Sequence, residues 1–389
     1  MLRKKLYVIA DIRAGGTPSR NNPDYWNGNI PWVKISNING KYVTTYDETI
    51  TELGLKNSSA KLFEKETILY TIFATLGRVG ILQFDATTNQ AIAGIKIKDN
   101  SISTDYLYYY LRSLESYVKD IGNGAAQQNI NQTILKNFTV PVISKEKQNQ
   151  ICSELENIEN VLLKKQHDLA SLDELIKSRF IEMFGDPIQN EKAWNSSILN
   201  EVTDVRDGTH DSPKYHDRGY PFVTSKNLID GKIDFSTCQL ISEEDYLHFN
   251  DRSRVDDGDI LMPMIGTIGG AIIVKKDREF SIKNVALIKF TKDNTKINRT
   301  FILYILNSDS MNNYFELTKK GGTQKFIALG VIRNIPIIVP PIELQNEFDK
   351  FVNQIDKSKF VCYSKYFLWL NLTFVSSTIA YSNVVSILE

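Results

Sequence analysis

Cysteine is scarce in this sequence, and hydrophobic runs are short. The 389 residues include three cysteines, Cys152, Cys238 and Cys362, which lie far apart and form no Cys-x-x-Cys pair. Their spacing argues against a zinc ribbon or a disulfide framework and is typical of a reducing compartment. The apolar run at residues 6–10 is too short for a signal peptide or a membrane span. We therefore expect a cytoplasmic protein that does not bind a membrane.

Neither sign of charge is in excess. Lysine and arginine together number 46, and aspartate and glutamate also number 46. This balance argues against a uniformly basic nucleic-acid-binding protein, but it fits a basic face opposite an acidic one. Residues 317–342 contain no acidic residue, yet they include Lys319, Lys320, Lys325 and Arg333. The sequence therefore predicts a local basic patch in a neutral chain.

The second half of the chain repeats the first, at an offset that drifts between 190 and 197 residues. The matched pairs include Gly15 with Gly208, Pro31 with Pro221, Gly77 with Gly269, Lys136 with Arg333, and Gln148 with Gln345. Repeat arrays cycle every ~20 to 50 residues, so a period this long indicates two similar domains.

Each half has the pattern of an α+β domain followed by a helix. Short β-rich runs are separated by glycine, asparagine and aspartate turns, and they lie at residues 32–35, 67–72, 79–84, 91–97, 260–265 and 271–274. A helix-like segment follows at residues 106–117 and again at 301–315, and an apolar stretch ending in proline closes each copy at 138–141 and 335–341. We predict two similar domains, over residues 1–144 and 187–341.

A long helix is predicted between the two domains, over Lys145–Phe184. Its apolar residues recur at seven-residue steps in two columns, which gives a heptad seam with two polar interruptions. Gly185 and Pro187 follow the last periodic residue and are typical of a helix end. At about 1.5 Å per residue the helix would be about 60 Å long, which is more than one small domain needs. We assign residues 145–186 to a spacer.

A second helix is predicted to start at residue 342 and to lose its seam early. Phe348, Val352 and Ile355 occupy the seam, but the pattern dissolves by Lys359. The tail at residues 360–389 is rich in aromatic, β-branched and serine residues and carries little charge. Its scattered polar residues argue against a membrane span. A tail that has lost its original sequence, or one that packs as irregular or strand structure, fits better.

Motifs for catalysis or for cofactor binding are missing. The sequence has no Walker-type glycine loop and no Gly-x-Gly-x-x-Gly after a strand. Residues 22–25 and 230–232 superficially resemble a methyltransferase loop and a nuclease Asp-x-Lys, but their composition predicts turns. His210 and His216 lie six residues apart, and the matching loop of the first half has no histidine, which argues against a metal site.

Small polar loops occupy the same places in both copies. Residues 15–20 and 208–214 contain glycine, so their backbones can approach a phosphate or a base edge closely. Residues 122–132 carry glutamine and asparagine side chains, which can pair with adenine, and the matching stretch of the second copy is basic. The predicted base or phosphate contacts are Thr17, Ser19, Arg20, Lys34, Arg78, Gln127, Gln128 and Asn129 in the first copy, and Thr209, His210, Lys214, Lys226, Thr323, Gln324 and Lys325 in the second.

From about Ile9 to Lys359 the chain resembles the specificity subunit of type I restriction and modification systems. The resemblance rests on an ordered set of short motifs rather than on any one of them. In this sequence they are Gly15-Gly16-Thr17-Pro18-Ser19, Ile30-Pro31-Trp32-Val33, Gly77-Arg78-Val79-Gly80, Gln128-Asn129-Ile130, Pro141 with Lys145-Glu146-Lys147-Gln148, and Phe184-Gly185-Asp186-Pro187.

The resemblance implies two target-recognition domains, each reading one half of an interrupted double-stranded DNA target, joined by two long helices that pair antiparallel. It implies a subunit without catalytic residues, cofactor or metal, whose partners are methyltransferase subunits that use S-adenosylmethionine and an ATP- and Mg-dependent restriction subunit. The helices of the family dock the methyltransferase subunits. The corresponding docking residues are Ile151, Leu155, Ile158, Leu162, Leu169, Leu172 and Ile176. The short second helix implies weakened docking on its side.

Two other classes of function stay open on the sequence alone. A stand-alone nuclease or methyltransferase would need motifs that the sequence does not show, and methylation by the isolated chain would reveal it. A scaffold that binds only proteins would make the basic patch and the polar loops incidental. Steep weakening of DNA binding with rising salt would separate a DNA-binding subunit from such a scaffold, because phosphate contacts release counterions.

Overall fold

The computed structural model describes residues 2–123, 130–266, 269–290, 296–318 and 326–359. These residues form two compact units, the first within Met1–Lys164 and the second within Lys165–Ser377. The boundary falls inside one unbroken helix, Lys145–Phe184, whose observed bounds are those that the heptad pattern predicts. Residues 360–389, where the sequence predicts a divergent tail, lie outside the described part of the chain.

In the first unit strands and helices follow the predicted order, with strands before the helices that lead into the long helix. The strands are β1 (Arg3–Lys5), β2 (Ala10–Ala14), β3 (Trp26–Val33), β4 (Tyr42–Val43), β5 (Glu48–Ile50), β6 (Ile68–Thr71), β7 (Val79–Leu82), β8 (Thr87–Thr88), β9 (Ile92–Ile97) and β10 (Thr139–Pro141). The helices are α1 (Leu6–Ile9), α2 (Glu52–Lys56), α3 (Thr104–Ser113), α4 (Glu115–Asn123), α5 (Gln132–Lys136) and α6 (Lys145–Phe184).

The second unit has the same plan. Its strands are β11 (Ser196–Ile198), β12 (Asp204–Asp207), β13 (Tyr220–Thr224), β14 (Leu228–Ile229), β15 (Lys232–Ile233), β16 (Gln239–Ile241), β17 (Ile260–Pro263), β18 (Ile272–Ile273), β19 (Ser281–Lys283), β20 (Val285–Lys289) and β21 (Pro336–Ile338). Its helices are α7 (Leu199–Val202), α8 (Glu243–Ser253), α9 (Arg299–Leu306), α10 (Asp309–Thr318), α11 (Leu329–Arg333) and α12 (residues 342–359).

Strand pairing confirms the internal repeat. Among the described residues the first unit has sheets in the orders β2-β9-β6-β7-β4, β5-β3-β8 and β1-β10. The second has β12-β20-β17-β18, β16-β13-β19 and β11-β21, together with the hairpin β14-β15. The same antiparallel and parallel neighbours recur at matching positions, so the α+β class and the duplication are both confirmed.

The central strands of each domain are buried, so short apolar runs are enough to build its core. All four residues of β6 and all four of β17 are buried, as expected for strands covered on both faces. On one side of the main sheet of the first unit, Tyr70 and Ile95 pack with Leu107 and Leu111 of α3. In the second unit Ile288 packs with Phe301 of α9 in the same way. Each domain therefore has its own hydrophobic core.

The helix-like segment after the strands is two helices in each copy, which corrects the single segments predicted at residues 106–117 and 301–315. The first break lies at Leu114, between α3 and α4, and the second lies at Asn307 and Ser308. The Asn307 side chain exchanges hydrogen bonds of 2.8 and 2.9 Å with the backbone of Ala271. Ser308 Oγ accepts from the amide of Met311. These bonds end one helix and start the next.

Strand ends differ from the predicted ones by a few residues. The predicted strand at residues 32–35 is the end of β3, and a 3-10 turn follows at Ile35–Asn37. Asn37 Oδ1 accepts from the backbone amide of Lys34 at 2.9 Å and so turns the chain. The predicted strands at 260–265 and 271–274 shorten to β17 and β18. Apolar residues beyond these ends are buried in turns, which composition alone does not distinguish from strand.

A buried glutamine fixes the start of each long helix. Gln148 lies in the first turn of α6, and its side chain donates to the carbonyls of Ser101 and Ile143 and accepts from the amide of Ser103 at 2.9 Å. Gln345 in α12 donates to the carbonyls of Lys296 and Pro340 and accepts from the amide of Asn298 at 2.8 Å. Both glutamines are fully buried. The repeat therefore preserves the joint between domain and helix.

Within the second unit, α12 runs antiparallel to the C-terminal half of α6. Phe348 packs edge-on against Phe180 and Phe184 at ring distances of 5.4 and 5.7 Å. Further along α12, Lys359 binds Asp173 at 2.5 Å. As the residue numbers rise along α12, the numbers of the residues that it contacts on α6 fall. The predicted antiparallel pair is observed as far as residue 359.

The described residues contain no helix long and apolar enough to cross a membrane. Cys152 is buried and Cys238 is half-buried, and neither takes part in a disulfide. Cys362 lies outside the described residues.

Candidate nucleic-acid interface

A glycine-containing loop leaves the end of the second strand in each domain. In the first domain the amides of Gly15 and Gly16 donate to the carbonyls of Ile92 and Thr88 at 2.9 and 2.8 Å. A side chain at Gly15 would overlap Thr88 Oγ1 and the carbonyl of Asn89. The loop therefore requires glycine because its backbone lies directly against the neighbouring strand.

The second domain repeats this arrangement. Gly208 and Thr209 donate to the carbonyls of Val285 and Ile282 at 2.9 and 3.1 Å. A side chain at Gly208 would overlap the carbonyl of Ile282. The structure thus places the two predicted loops on equivalent strand ends.

Arg20, Lys34 and Glu48 form a charged cluster beside the first loop. Arg20 binds one carboxylate oxygen of Glu48 and Lys34 binds the other, both at 2.6 Å. The Arg20 guanidinium also lies over the ring of Trp26 at 3.6 Å from its centroid. An arginine held by a carboxylate and an aromatic face has little freedom left, which suits it for directed hydrogen bonding.

The ion pairs shift the titration of this cluster. The hydrogen bond from Arg20, followed by that from Lys34, lowers the pKa of Glu48 below its ordinary value. The hydrogen bond with Glu48 raises the pKa of Lys34. Asp47 also lies 3.7 Å from Lys34, so the formal charges of Arg20, Lys34, Glu48 and Asp47 cancel.

Arg78 lies close to the same cluster. Its guanidinium donates to the carbonyl of Ile35 at 3.4 Å, directly after Lys34 in the chain, and Arg78 is otherwise exposed. The structure thus places Arg78, which was predicted from a separate motif, against the turn that follows Lys34. Ser19 is exposed in the same loop, and Thr17 is half-buried and donates its hydroxyl proton to Gln90 Oε1.

In the second domain His210 sits between two side chains. Its Nε2 lies 3.0 Å from Asp207 Oδ2, and its Nδ1 lies 2.5 Å from Asn284 Oδ1. Asp207 is buried and also pairs with Arg252. His216 is not part of this group; its backbone pairs with Leu240. The two histidines therefore do not share a site.

Lysines surround the second loop. Lys214 and Lys226 are both exposed, and within the described ranges neither has an ion-pair partner. Lys283 donates to Ser212 Oγ at 2.8 Å, and its backbone bridges to Thr209. Lys283 was not predicted from the sequence, because only the strand pairing brings it to the loop.

Six predicted contacts lie outside the described residues: Gln127, Gln128, Asn129, Thr323, Gln324 and Lys325. The residues that follow them occupy matching positions. Ile130 donates its amide proton to the carbonyl of Ile72 at 3.1 Å, and Ile327 donates to that of Met264 at 2.9 Å. In the second domain a cavity of about 390 Å³ is lined by Asp207, His210 and Asn284 on one side and by residues 326–329 on another.

Two side chains that the sequence analysis missed, Gln90 and Asn284, contact predicted residues in equivalent ways. Gln90 accepts from Thr17, and Asn284 contacts His210. Both are carboxamides that follow a strand by two residues or by one. A comparison of the two copies at these positions could have identified both side chains from the sequence.

The comparisons with known proteins agree with this geometry. The sequence model of the type I restriction modification DNA specificity domain matches residues 3–172 and 191–360. The chain belongs to this family. The resemblance inferred from short motifs is thereby confirmed, over nearly the same range of residues.

Relatives of the specificity domain family match nearly the whole chain. The type I restriction enzyme MjaIX specificity subunit of Methanocaldococcus jannaschii is 27% identical, and the match covers 90% of this chain and 86% of the relative. The EcoprrI specificity subunit of Escherichia coli is 20% identical and covers 90% of this chain and 88% of the relative.

Two solved structures share the fold of this specificity protein. One comes from a study of complex assembly and conformational transition of the type I R-M system, with a TM-score of 0.59 and 16% identity, covering 94% of this chain and 93% of that one. The other is the S subunit of M. genitalium, with a TM-score of 0.50 and 15% identity, covering 97% of this chain and 94% of that one.

The long helix of this specificity protein carries the predicted docking residues in two different settings. Ile151 and Leu155 pack against the core of the first domain, and Ile176 is fully buried in the core of the second. Ile158, Leu162, Leu169 and Leu172 are half-buried and belong to neither core. The first three anchor the helix, and the other four are the ones that a partner could reach.

Metal-ligand clusters are not evident in the described part of this specificity protein. No group of three or more histidine, cysteine, aspartate or glutamate side chains there could hold a metal ion. The segments at residues 22–25 and 230–232 are turns, as predicted. Asn22 caps a 3-10 turn at Pro23–Tyr25, and Asp230 and Gly231 form the two-residue loop between β14 and β15 with positive φ angles of 49° and 73°.

Proposed function

We propose that this chain is the DNA-recognition subunit of a type I restriction-modification enzyme and is not itself catalytic. Each domain reads one half of an interrupted double-stranded DNA target. The observation that carries this proposal is the pair of equivalent glycine-containing loops, each flanked by cationic side chains at the same strand end. Family membership and the matching relatives support it.

The proposal assigns a task to each part of the chain. Residues 1–144 and 187–341 are the two target-recognition domains, and residues 145–186 are the spacer helix. Residues 342–359 begin the second helix, and residues 360–389 are a divergent tail. The chain would work in the cytoplasm, together with its DNA and its partner subunits.

Within each domain the contacts divide by side-chain type. Arg20 is fixed by Glu48 and Trp26, so it is suited to a base edge, where arginine pairs with guanine. Lys214 and Lys226 are exposed and without ion-pair partners among the described residues, so they are suited to phosphates. Lys34 and Arg78 complete the cationic face of the first domain. Gln127, Gln128, Asn129, Thr323, Gln324 and Lys325 stay proposed contacts.

The half-buried residues of α6, Ile158, Leu162, Leu169 and Leu172, form the proposed docking face for methyltransferase subunits. Those subunits would supply methyl transfer from S-adenosylmethionine. A restriction subunit would supply cleavage with ATP and Mg. The chain itself contributes position and sequence choice.

The salt dependence of DNA binding tests the proposal. In the complex of this chain with its methyltransferase subunits, log K for a duplex should fall linearly with log salt, by about 0.9 for each phosphate neutralised. Replacing Arg78 or Lys226 by alanine should reduce that slope by about one.

Lys98→Ala is the matched control. Lys98 follows β9 at the end where Ile97 pairs with Ala10, whereas the glycine loop leaves the other end, where Ala93 pairs with Ala14. Its loss should leave the slope unchanged. DNA binding that does not respond to salt, or that responds equally to all three substitutions, would contradict the proposal.

A further inference from the structure

Each domain places one carboxamide side chain at the same position beside its glycine-containing loop. In the first domain Trp32 and Val33 pair with Thr87 and Thr88 of β8. In the second, Phe222 and Val223 pair with Ser281 and Ile282 of β19. Counted forward from these pairs, Thr88 matches Ile282, and Gln90 two residues later matches Asn284. The first copy has one residue more before the next strand, so Gln90 lies two residues before Ile92 and Asn284 one residue before Val285.

The partners of these carboxamides also correspond. Thr17 and His210 each lie two residues after the first glycine of their loop, Gly15 or Gly208. Thr17 donates its hydroxyl proton to Gln90 Oε1, and His210 Nδ1 lies 2.5 Å from Asn284 Oδ1. The same contact is therefore built in both domains from different residue types.

In the first domain the recurring contact is not needed to hold the turn. In the first domain the turn is already closed by Asn89, whose Oδ1 accepts from the amide of Ala91 at 3.2 Å. The amide protons of Gln90 and Asn284 have no acceptor among the described residues. Gln90 is exposed and Asn284 is half-buried, so both amides remain available to an external partner.

The chemistry of these groups points to one base. A carboxamide oxygen has two lone pairs, so it can accept from Thr17, or from His210 when Nδ1 carries a proton, and from a second donor at once. With its NH2 group donating, it matches the N6 donor and N7 acceptor of adenine in the major groove. Holding the oxygen in place orients the amide, so less side-chain freedom is lost on binding.

We propose that Gln90 and Asn284 each read one adenine, in opposite halves of the target, and that Thr17 and His210 are their positioning residues. This inference rests on the proposed function. It adds one specificity-determining side chain in each domain.

Selection from a randomised duplex library tests the inference. The library is bound by the assembled complex of this chain with its methyltransferase subunits, and enriched sequences are compared between wild type, Gln90→Ala and Asn284→Ala. Gln90→Ala should lower the preference for adenine at one position of one half-site by about 5- to 150-fold, and Asn284→Ala should do so in the other half-site. Gln90→Glu should shift that position towards cytosine, whose N4 group donates to a carboxylate.

Asn137→Ala and Asn334→Ala are the matched controls. They too are one carboxamide in each domain, but their amides donate to the carbonyls of Thr133 and Gly330 at helix ends. They should leave both half-sites unchanged. A second check uses 7-deazaadenine, which lacks the N7 acceptor: at the adenine that Gln90 reads it should weaken binding by wild type but not further weaken binding by Gln90→Ala.

Different outcomes test the adenine assignment and the proposed function separately. Unchanged base preference in both alanine variants overturns the inference and leaves the proposed function standing. A change in one half-site alone overturns the paired assignment. No enriched sequence with the wild-type complex overturns the proposed function itself. Thermal melting of each variant shows whether loss of folding contributes to a changed preference.

Discussion

Glu48 partly neutralises the proposed DNA contacts of the first domain. It holds both Arg20 and Lys34 at 2.6 Å, and its own pKa is lowered by their hydrogen bonds. A carboxylate this close to the proposed DNA-binding face would also repel phosphate. We therefore expect Glu48 to lower the affinity for DNA while it fixes the position of Arg20.

Glu48→Gln should strengthen non-specific DNA binding and weaken sequence preference. The substitution removes one negative charge and releases Arg20, while Lys34 stays 3.7 Å from Asp47, so the salt slope of non-specific binding should become steeper by about one. The measurement is titration of the complex with a duplex of arbitrary sequence at several salt concentrations. Asp11→Asn, which breaks the Asp11–Lys98 pair of 2.9 Å at the other end of β2, is the control and should change neither quantity.

The same ion pairs predict a pH dependence. Because the folded pKa of Glu48 lies below its unfolded value of about 4.3, the stabilisation is present above that value and is lost as pH falls through the folded pKa. The Glu48 side chain is 29% exposed and Arg20 53%, so the effect should stay below about 1 kcal/mol. Wild type should melt higher than Glu48→Gln at pH 7, and the two melting temperatures should converge in acid. A difference that persists at the lowest pH would contradict the assignment.

The glycines of the two loops should tolerate no side chain. Gly15→Ala and Gly208→Ala force a Cβ into the neighbouring strand, which should cost about 1–3 kcal/mol and displace the loop. Melting temperature and DNA affinity should both fall.

Gly330→Ala is the control for these variants. Gly330 lies in α11, and outside its chain neighbours and its own helix backbone no atom lies within 4 Å of the place that an alanine Cβ would occupy there. Alanine at this position should be neutral or stabilising by up to about 1 kcal/mol. Equal destabilisation by all three substitutions would argue against a packed loop.

At the scale of elements, the joint between each domain and its helix is the feature that the repeat preserves best. The side chains of Gln148 and Gln345 each make three hydrogen bonds to backbone groups from a fully buried position. Their partners lie in the loop before α3 or α9 and in the turn before the long helix. Each glutamine therefore ties three segments together.

Gln148→Ala should lower the free energy of unfolding of the first domain by about 1–3 kcal/mol, because it leaves buried amide and carbonyl groups without partners. Thermal denaturation and amide exchange at Ser103 are the measurements. Gln150→Ala changes an exposed glutamine two residues away, which bonds only Glu154, and should stay within about 0.5 kcal/mol of wild type. Faster exchange in both variants would show a general fraying of the helix instead.

Elements were predictable where their signals are local. The helix Lys145–Phe184 was predicted from end to end because the heptad and the Gly-Asp-Pro stop lie in one continuous stretch. The break at Asn307 was missed because it depends on a contact with a distant part of the chain, the backbone of Ala271. The site was predicted only in part for the same reason: Thr17 and Gln90 are 73 residues apart and meet only through strand pairing.

At the scale of the whole molecule, two similar domains are built into one chain and share one continuous helix. The two copies keep the backbone contacts of their glycine loops and change the side chains around them. Trp26, Arg20 and Glu48 have no counterpart cluster in the described part of the second domain, where Lys283, Ser212 and His210 surround the loop instead. A duplicated frame with different side chains is what reading two different half-sites requires.

The second helix gives a prediction about assembly. The seam of α12 is followed as far as residue 359, and the sequence beyond it lacks the heptad. Replacing residues 360–389 by a heptad continuation should strengthen co-purification with methyltransferase subunits, because a longer apolar seam extends the proposed docking face. A flexible glycine-serine replacement of equal length is the control. Equal assembly by both variants and wild type would contradict the expectation.

The strand pair that joins the two ends of each domain bears on how such chains can evolve. Arg3 of β1 pairs with Pro141 of β10, and Ser196 of β11 pairs with Ile338 of β21. The chain therefore enters and leaves each domain side by side, immediately before a helix. A domain with adjacent ends can be exchanged as a cassette, since its replacement needs only to match that strand pair and the buried glutamine. Recombination at these seams would give a chain a new target while leaving its helices untouched.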